Sequence, residues 1–231
     1  SHAALMVGGT AVVLEAGLKR RASLVGTMLP SSFAVLATTL MPWLLTGGRL
    51  ALHQPLEVET FAALLAEARA DAAVLPGPLA APLAEAGVIG GTHTAAIIGL
   101  WRSPERQPAS PLWRGRSALI DVLAFGEAGL VALRRPPDGR PAVLKAGPIV
   151  APAGAADGIV VGTLARTAAG TLAFGGPMTP QRCGAGEADA PAALSTDTGF
   201  PCRIDAATGA LTLSGPPAGV VTVGGYRFAL G

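Results

Sequence analysis

Charge is scarce in this chain. Asp, Glu, Lys and Arg make up 14% of its 231 residues, against about 25% in ordinary globular domains. The formal net charge is only +2. No basic run and no interleaving of aromatics with cations occurs, so nucleic acid is not an expected partner. Cysteine is almost missing: Cys183 and Cys202 stand alone, without zinc spacing. A disulfide between them stays open, but reduced thiols, and with them a cytoplasmic setting, are the expectation. His2, His53 and His93 lie far apart with no ligand set around them, which argues against a zinc centre. The GxxxxGK[ST] phosphate loop, a GxGxxG after a strand and the GxSxG elbow are all lacking. Phosphate-loop, dinucleotide-binding and hydrolase chemistries therefore have no sequence support.

What is plentiful is apolar surface. The mean hydropathy is +0.49. Either a membrane or a covering partner would explain it. No charged residue occurs from Ala22 to Gly48, a stretch long enough for a bilayer span of roughly 20 residues. Pro30 and Pro42 interrupt it, and a buried helix of an α/β domain explains it equally well. Ser1-His2 reads either as a tag remnant or as native sequence of a longer chain.

Helix and strand signals alternate over the first half. Ala3–Leu18 reads as a helix, with "VGGT" (Val7–Thr10) allowing close helix packing. Phe33–Leu45 reads as a second, buried helix, and Arg49–Gln54 as a strand. "LEVETFAALLAEARA" carries Val58, Phe61, Leu64, Leu65 and Ala68 on one stripe. "DAAVLPG", "PLAAPLAEAG" and "AAIIGLW" then read strand, helix, strand. This alternation predicts a parallel α/β layer. After "PPDGRP" no helical period survives. Short apolar pieces between Gly and Pro predict a small β-barrel or curled sheet. The expected boundary lies near Pro136–Gly147, giving an α/β subdomain over 1–140 and a β-rich one over 141–231. The stretch from Pro180 to Gly199 reads as a loop. "CRIDAATGALTL" is a hairpin signal, with Gly209 free to take positive φ at the reversal.

Candidate chemistry is thin. Asp71, Glu127, Asp138 and Asp157 show no joint spacing for an acid and a base. In "LIDVLAFGEAGLVALRR" an apolar strand runs into Glu127 between glycines. A carboxylate there suits Mg²⁺ beside a phosphate, or a solvated turn.

The order of these pieces resembles the adenylate-forming superfamily: AMP-forming acyl-CoA synthetases, peptide-synthetase adenylation domains and luciferases. "SHAALM", "TTLMPWLLTGGRLAL", "LEVETFAALLAEARADAAVLPG", "LIDVLAFGEAG" and "DTGFPCRIDAATGALTLSG…VVTVGGYRF" follow the family's sequence of elements. The resemblance spans nearly the whole chain and is most specific in the last third. It implies a reaction in which a carboxylate attacks the α-phosphate of ATP and a thiol takes the acyl group. It also places a nucleotide site at Thr198, Gly199 and Gly215, and a Mg²⁺ ligand at Glu127.

Departures from the family pattern cluster at that site. Phe200 stands where the family's Asp holds the ribose, and Pro216 where its Arg contacts the nucleotide. Gly126 replaces the Thr of the aromatic-Gly-x-Thr-Glu motif; a two-residue gap aligns Phe125-Gly126 instead and still lacks the Thr. Leu100 and Trp101 intrude where a glycine-rich stretch backs the adenine, and their bulk is expected to close that pocket. The phosphate loop would precede Ser1, and the Lys-bearing domain would follow Gly231. Each lost hydrogen bond to a charged group costs roughly 1.5–3 kcal/mol. The expectation is therefore a degenerate, non-catalytic relative, without a cofactor, serving as a structural subunit or binding an acyl group or a protein partner, including a second copy. The alternative is part of an active acyl-CoA or amino-acid ligase using ATP and Mg²⁺. Membrane association is the third reading.

Overall fold

The computed structural model describes residues 1–91, 94–153, 158–179, 195–223 and 226–229. Helix α1 (His2–Ala16) begins at Ser1, whose Oγ accepts from the Ala4 N–H at 3.3 Å, and stops at Gly17, left-handed at φ 64°. The uncharged stretch after it is not one element. It holds strand β1 (Ser23–Gly26), helix α2 (Phe33–Thr38) and helix α3 (Leu40–Thr46). The single helix expected over Phe33–Leu45 is thus two. Pro42 supplies the reason: it cannot donate to the Thr38 carbonyl four residues back, and its ring would clash there. Within the first turn of α3 that missing donor costs nothing. Among the described residues no helix is long and apolar enough to cross a membrane.

The alternation then runs as expected: β2 (Arg49–Leu52), α4 (Val58–Glu67), β3 (Ala72–Pro76), α5 (Gly77–Glu85), β4 (Ala96–Trp101), a 3-10 helix (Pro104–Ala109), β5 (Ala118–Ala124) and β6 (Leu130–Arg134). These strands form one sheet in the order β2-β1-β3-β4-β5-β6. The first five run parallel and β6 returns antiparallel. Alternate side chains face opposite layers. Leu24, Val74 and Ile98 meet α1 and α2, while Val25, Leu75 and Ile97 meet Phe61 and Leu65 of α4 and Leu83 of α5. Both faces are covered, as a parallel sheet requires. The "VGGT" glycines do bring helices together: a Cβ on Gly9 would overlap the Cβ of Met41 on α3.

The chain passes into a second, antiparallel sheet between Arg134 and Gly147. Its strands are β7 (Gly147–Pro152), β8 (Gly158–Arg166), β9 (Thr171–Gly175), β10 (Ser195–Ile204) and β11 (Leu211–Leu213), in the order β11-β10-β9-β8-β7. The expected barrel is a curled sheet in which only Lys145 and Ala210 bridge the outer edges; among the described residues no closed barrel forms. Ser195–Gly199, expected in a loop, belong to β10, which pairs with β9; 180–194, including Cys183, lie outside the described residues. Cys202 is a free, buried thiol, and burial pushes its pKa up. The predicted hairpin is present, with Cys202 opposite Leu213 and Ile204 opposite Leu211. Asp205 closes its turn by accepting from the Ala207 and Thr208 N–H groups and the Thr208 hydroxyl, and Gly209 takes φ 68°. A last hairpin joins β12 (Val220–Val223) and β13 (Tyr226–Ala229). The two large sheets share one core: Phe125 after β5 packs with its ring tilted, centroids 6.1 Å apart, against Phe174 of β9 and edge-on at 5.6 Å against Phe200 of β10.

Among the described residues one ion pair is buried in this frame. Arg135 Nε donates to Asp121 Oδ2 at 2.7 Å, with both side chains almost fully excluded from solvent. Asp121 also accepts from Trp101 Nε1 and Gln107 Nε2, each at 2.8 Å. Arg135 donates further to the Pro111 and Gly139 carbonyls and to Ser110 Oγ. Every charged atom is thus satisfied, the condition under which a buried pair holds.

Removing one partner leaves a buried charge. Asp121→Ala is expected to cost about 3–5 kcal/mol, read as a lower urea midpoint, whereas Asp121→Leu with Arg135→Met should recover much of the loss. At the hairpin, three donated hydrogen bonds hold the Asp205 carboxyl below its ordinary value. Its contribution is complete above the unfolded Asp pKa of about 3.9 and drains away as pH falls through the lower folded-state value. The thermal midpoint of Asp205→Asn should therefore fall less steeply with acid than that of the parent chain.

Candidate functional site

The strand order 2-1-3-4-5 contains a reversal. From β1 the chain moves outward to β2, then crosses back to place β3 on the other side of β1. Loops leaving the carboxyl ends of β1 and β3 therefore diverge and leave a crevice between them, where ligands bind in open α/β sheets. A cavity of about 540 Å³ lies there. Its walls come from the segments following β1 (Thr27 to Ser31), β2 (Gln54, Leu56), β3 (Pro76 to Leu79) and β4 (Leu100 to Arg106).

The lining is largely apolar, with polar side chains contributed by Thr27, Ser31, Gln54, Arg102, Ser103 and Arg106. Met28, Leu29, Leu56, Leu79 and Leu100 supply hydrocarbon. Thr27 directs its hydroxyl to the Val74 carbonyl. Arg102, Ser103 and Arg106 lie on the turn and 3-10 helix after β4. The Ser103 hydroxyl oxygen is buried and has no hydrogen-bond partner. That turn is anchored from behind, because Trp101 and Gln107 both donate to Asp121. Leu100 and Trp101 are buried, yet they line the cavity without filling it. Trp101 donates to Asp121 and packs on Gly77, where a Cβ would overlap its ring.

None of the four residues singled out from sequence lines this cavity. Thr198 and Gly199 lie on β10. The Thr198 hydroxyl donates to the Leu172 carbonyl at 2.8 Å, and the Gly199 N–H donates to Asp197 Oδ1 at 2.8 Å with φ 73°. A Cβ on Gly199 would approach Pro217 at 3.3 Å, which brings the Gly215 segment alongside β10. Glu127 lies in the β5–β6 turn. Its carboxylate accepts from the Phe33 N–H at 3.3–3.4 Å, at the start of α2 beside the Ser32 cap. Among the described residues no group of three or more His, Cys, Asp or Glu side chains could hold a metal ion. Phe200, in the position of the family's ribose-binding Asp, is fully buried against Phe125. It is part of the seam between the sheets.

Phe200→Ala should cost about 3–5 kcal/mol. Phe200→Asp, which restores the family residue type, should cost at least as much through an unpaired buried carboxylate. Urea unfolding of both variants checks this; an Asp variant with parental stability and a gain in ATP binding would overturn the structural role.

Residues missed by sequence reasoning are the polar ones that the segment after β4 brings to the cavity and the ion pair behind it. Asp121 could have been found: a lone acid within the apolar strand "ALIDVLA" needs a buried partner. Arg102, Ser103 and Arg106 carry no local signal of a site, because only the strand order brings their segment to the cavity.

No protein-family model matches the chain, and no curated protein matches it. Solved structures do. The o-succinylbenzoate CoA synthetase MenE from Bacillus subtilis, bound to a product analogue, superposes with a TM-score of 0.64 at 14% identity over 99% of this chain and 48% of its own. An artificially fused adenylation–PCP di-domain, NpsA-ThdA from Klebsiella oxytoca, gives 0.65 at 14% identity over 97% and 46%. A malonyl-CoA ligase holding methylmalonyl-CoA and AMP gives 0.63 at 18% identity over 98% and 51%. The chain thus spans about half the length of the structures it matches, and over that length it has the fold of adenylate-forming enzymes.

Proposed function

We propose that this chain is a non-catalytic, acyl-CoA-synthetase-like protein that holds an acyl compound in the cavity beyond β1, β3 and β4. One observation carries the reading. An apolar cavity with a few converging polar groups persists, while the position that grips ribose in the resembled family is occupied by core Phe200. Electrostatic grip on the transferring phosphoryl group dominates adenylation chemistry, and neither Phe200 nor Pro216 offers one. Thr198, Gly199 and Gly215 are on this reading the remains of a nucleotide site, and Glu127 secures a helix start. A subunit role fits as well: Met6, Leu44 and Leu45 of α1 and α3 are 53%, 55% and 40% exposed, and such apolar side chains favour a protein cover. We take the setting to be cytoplasmic, from the cysteine usage.

A second reading rests on length. The matched structures are about twice as long as the span this chain covers, and one of them is a complex with ATP and Mg²⁺. Together with the missing half, the chain would then form an ATP-dependent acid–thiol ligase, with Glu127 beside Mg²⁺. Adenylation–PCP proteins among the matches make a carrier protein a candidate thiol partner.

Calorimetry with ATP·Mg²⁺ on the native assembly, with pyrophosphate release measured over a panel of carboxylic acids, separates the two. No heat of ATP binding and no pyrophosphate are expected. Acid-dependent pyrophosphate release would overturn the non-catalytic reading in favour of the ligase.

A further inference from the structure

The amino-terminal edge of the parallel sheet is lined with cations. Strands β2, β1 and β3 lie side by side and run the same way, so their entry points share one edge. Arg49 is the first residue of β2, the run Lys19–Arg21 leads into β1, and Arg69 leads into β3. All five are exposed, and among the described residues none of them makes an ion pair or a side-chain hydrogen bond. Two of them also hold an unfavourable backbone. Arg21 and Arg69, at φ 63° and 46°, are the two non-glycine residues with positive φ among the described residues. Arg69 follows α4 in the motif that Gly87 closes after α5. There the Ala70 N–H donates to the Leu65 carbonyl at 3.0 Å, as the Val88 N–H does to the Leu83 carbonyl at 2.9 Å. Glycine takes that conformation freely, whereas an L side chain is crowded in it. Strain of this kind, held by a charged side chain, marks a functional position.

We propose that this edge docks an acidic protein partner. Arg21, Arg49 and Arg69 meet its carboxylates, and the exposed Leu44 and Leu45 meet apolar side chains beside them. The leucines belong to the same surface, because the Arg21 N–H donates at 2.8 Å to the carbonyl of Thr46, the last residue of α3. Apolar side chains rimmed by arginines have the make-up of a protein interface, and guanidinium forks suit carboxylates. Exposed Glu67 and Asp71 lie in the segment that carries Arg69. The uniformly negative face of an anionic bilayer would meet repulsion from them, while a protein can set its own cations against them. A second copy joined face to face would set arginine against arginine. The proposal rests on the subunit reading given above and adds the charge of the partner to it. The cavity opens at the carboxyl ends of the same strands, so the two sites do not compete for one surface.

Calorimetry of the full chain with amphipathic helical peptides tests this, the peptides sharing one leucine stripe and carrying Glu, Gln or Lys elsewhere. The Glu peptide is expected to bind about 10-fold or more tighter than the Gln peptide and to weaken as salt is raised. The Lys peptide should bind worst. Arg21→Gly with Arg69→Gly should bring the Glu peptide down to the affinity of the Gln peptide. That variant should keep a thermal midpoint at or above the parental one, because both positions suit glycine. Arg21→Lys with Arg69→Lys should keep most of the preference. Leu44→Ser with Leu45→Ser should weaken the Glu and Gln peptides alike. Equal affinity for the Glu and Gln peptides, lost in the leucine variant, overturns the acidic partner and leaves the subunit reading standing. Absence of binding by every peptide overturns both. A preference for the Glu peptide that the glycine variant keeps overturns the assignment to Arg21 and Arg69. Co-sedimentation with phosphatidylserine vesicles, lost in the glycine variant and without preference for the Glu peptide, overturns the protein partner in favour of a lipid surface. Self-association of the parent that the Glu peptide does not displace, with no heat of peptide binding, overturns it in favour of a second copy.

Discussion

The Asp121–Arg135 pair is the constraint on which this architecture turns. Asp121 sits mid-strand on β5, and Arg135 directly follows β6. The pair therefore locks the one antiparallel strand of the first sheet to its parallel neighbour. Through Trp101 and Gln107 the same carboxylate reaches β4 and the 3-10 helix. Through Arg135 it reaches the carbonyls of Pro111 and Gly139, on loops that an apolar core cannot fix. A hydrophobic replacement could match its energy but not its geometry, because only a carboxylate accepts from three directed donors at once. The wall of the cavity is thereby set by a network that no ligand touches.

The topology explains why the cavity exists, and the side chains give it its lining. A crevice at the β1/β3 reversal follows from strand order alone and does not depend on which side chains line it. Phe200 shows what the side chains contribute. From β10 it presents an aromatic edge to Phe125 in the seam between the sheets, so the two sheets are joined there by hydrophobic packing.

Much of the fold was legible in the sequence. The alternation from Arg49 to Ala124 announced a parallel layer, because both-face burial forces apolar runs such as "AAIIGLW". The hairpin at Asp205–Gly209 was legible because its turn chemistry is local. The region from Ala22 to Gly48 was not. Its uniform apolarity is what β1, α2 and α3 share, so hydropathy could not divide them, and only Pro42 marked the break. The candidate site was least legible. Thr198, Gly199, Gly215 and Glu127 came from a resemblance of order and spacing. Ser103 and Arg106 owe their place to a strand crossing that leaves no local trace, while Asp121 was visible only as an oddly placed acid.

The cavity draws its walls from segments as far apart in the chain as Thr27 and Arg106. No local piece of the polypeptide can make it; β1, β3 and β4 must already lie side by side. A bound molecule therefore grips the outcome of long-range pairing, the slow part of assembling a parallel sheet. By mass action it stabilises the whole six-stranded unit. For a chain so poor in charge, the occupant would serve as a late-stage rivet: present when the sheet has closed correctly, and holding it closed thereafter.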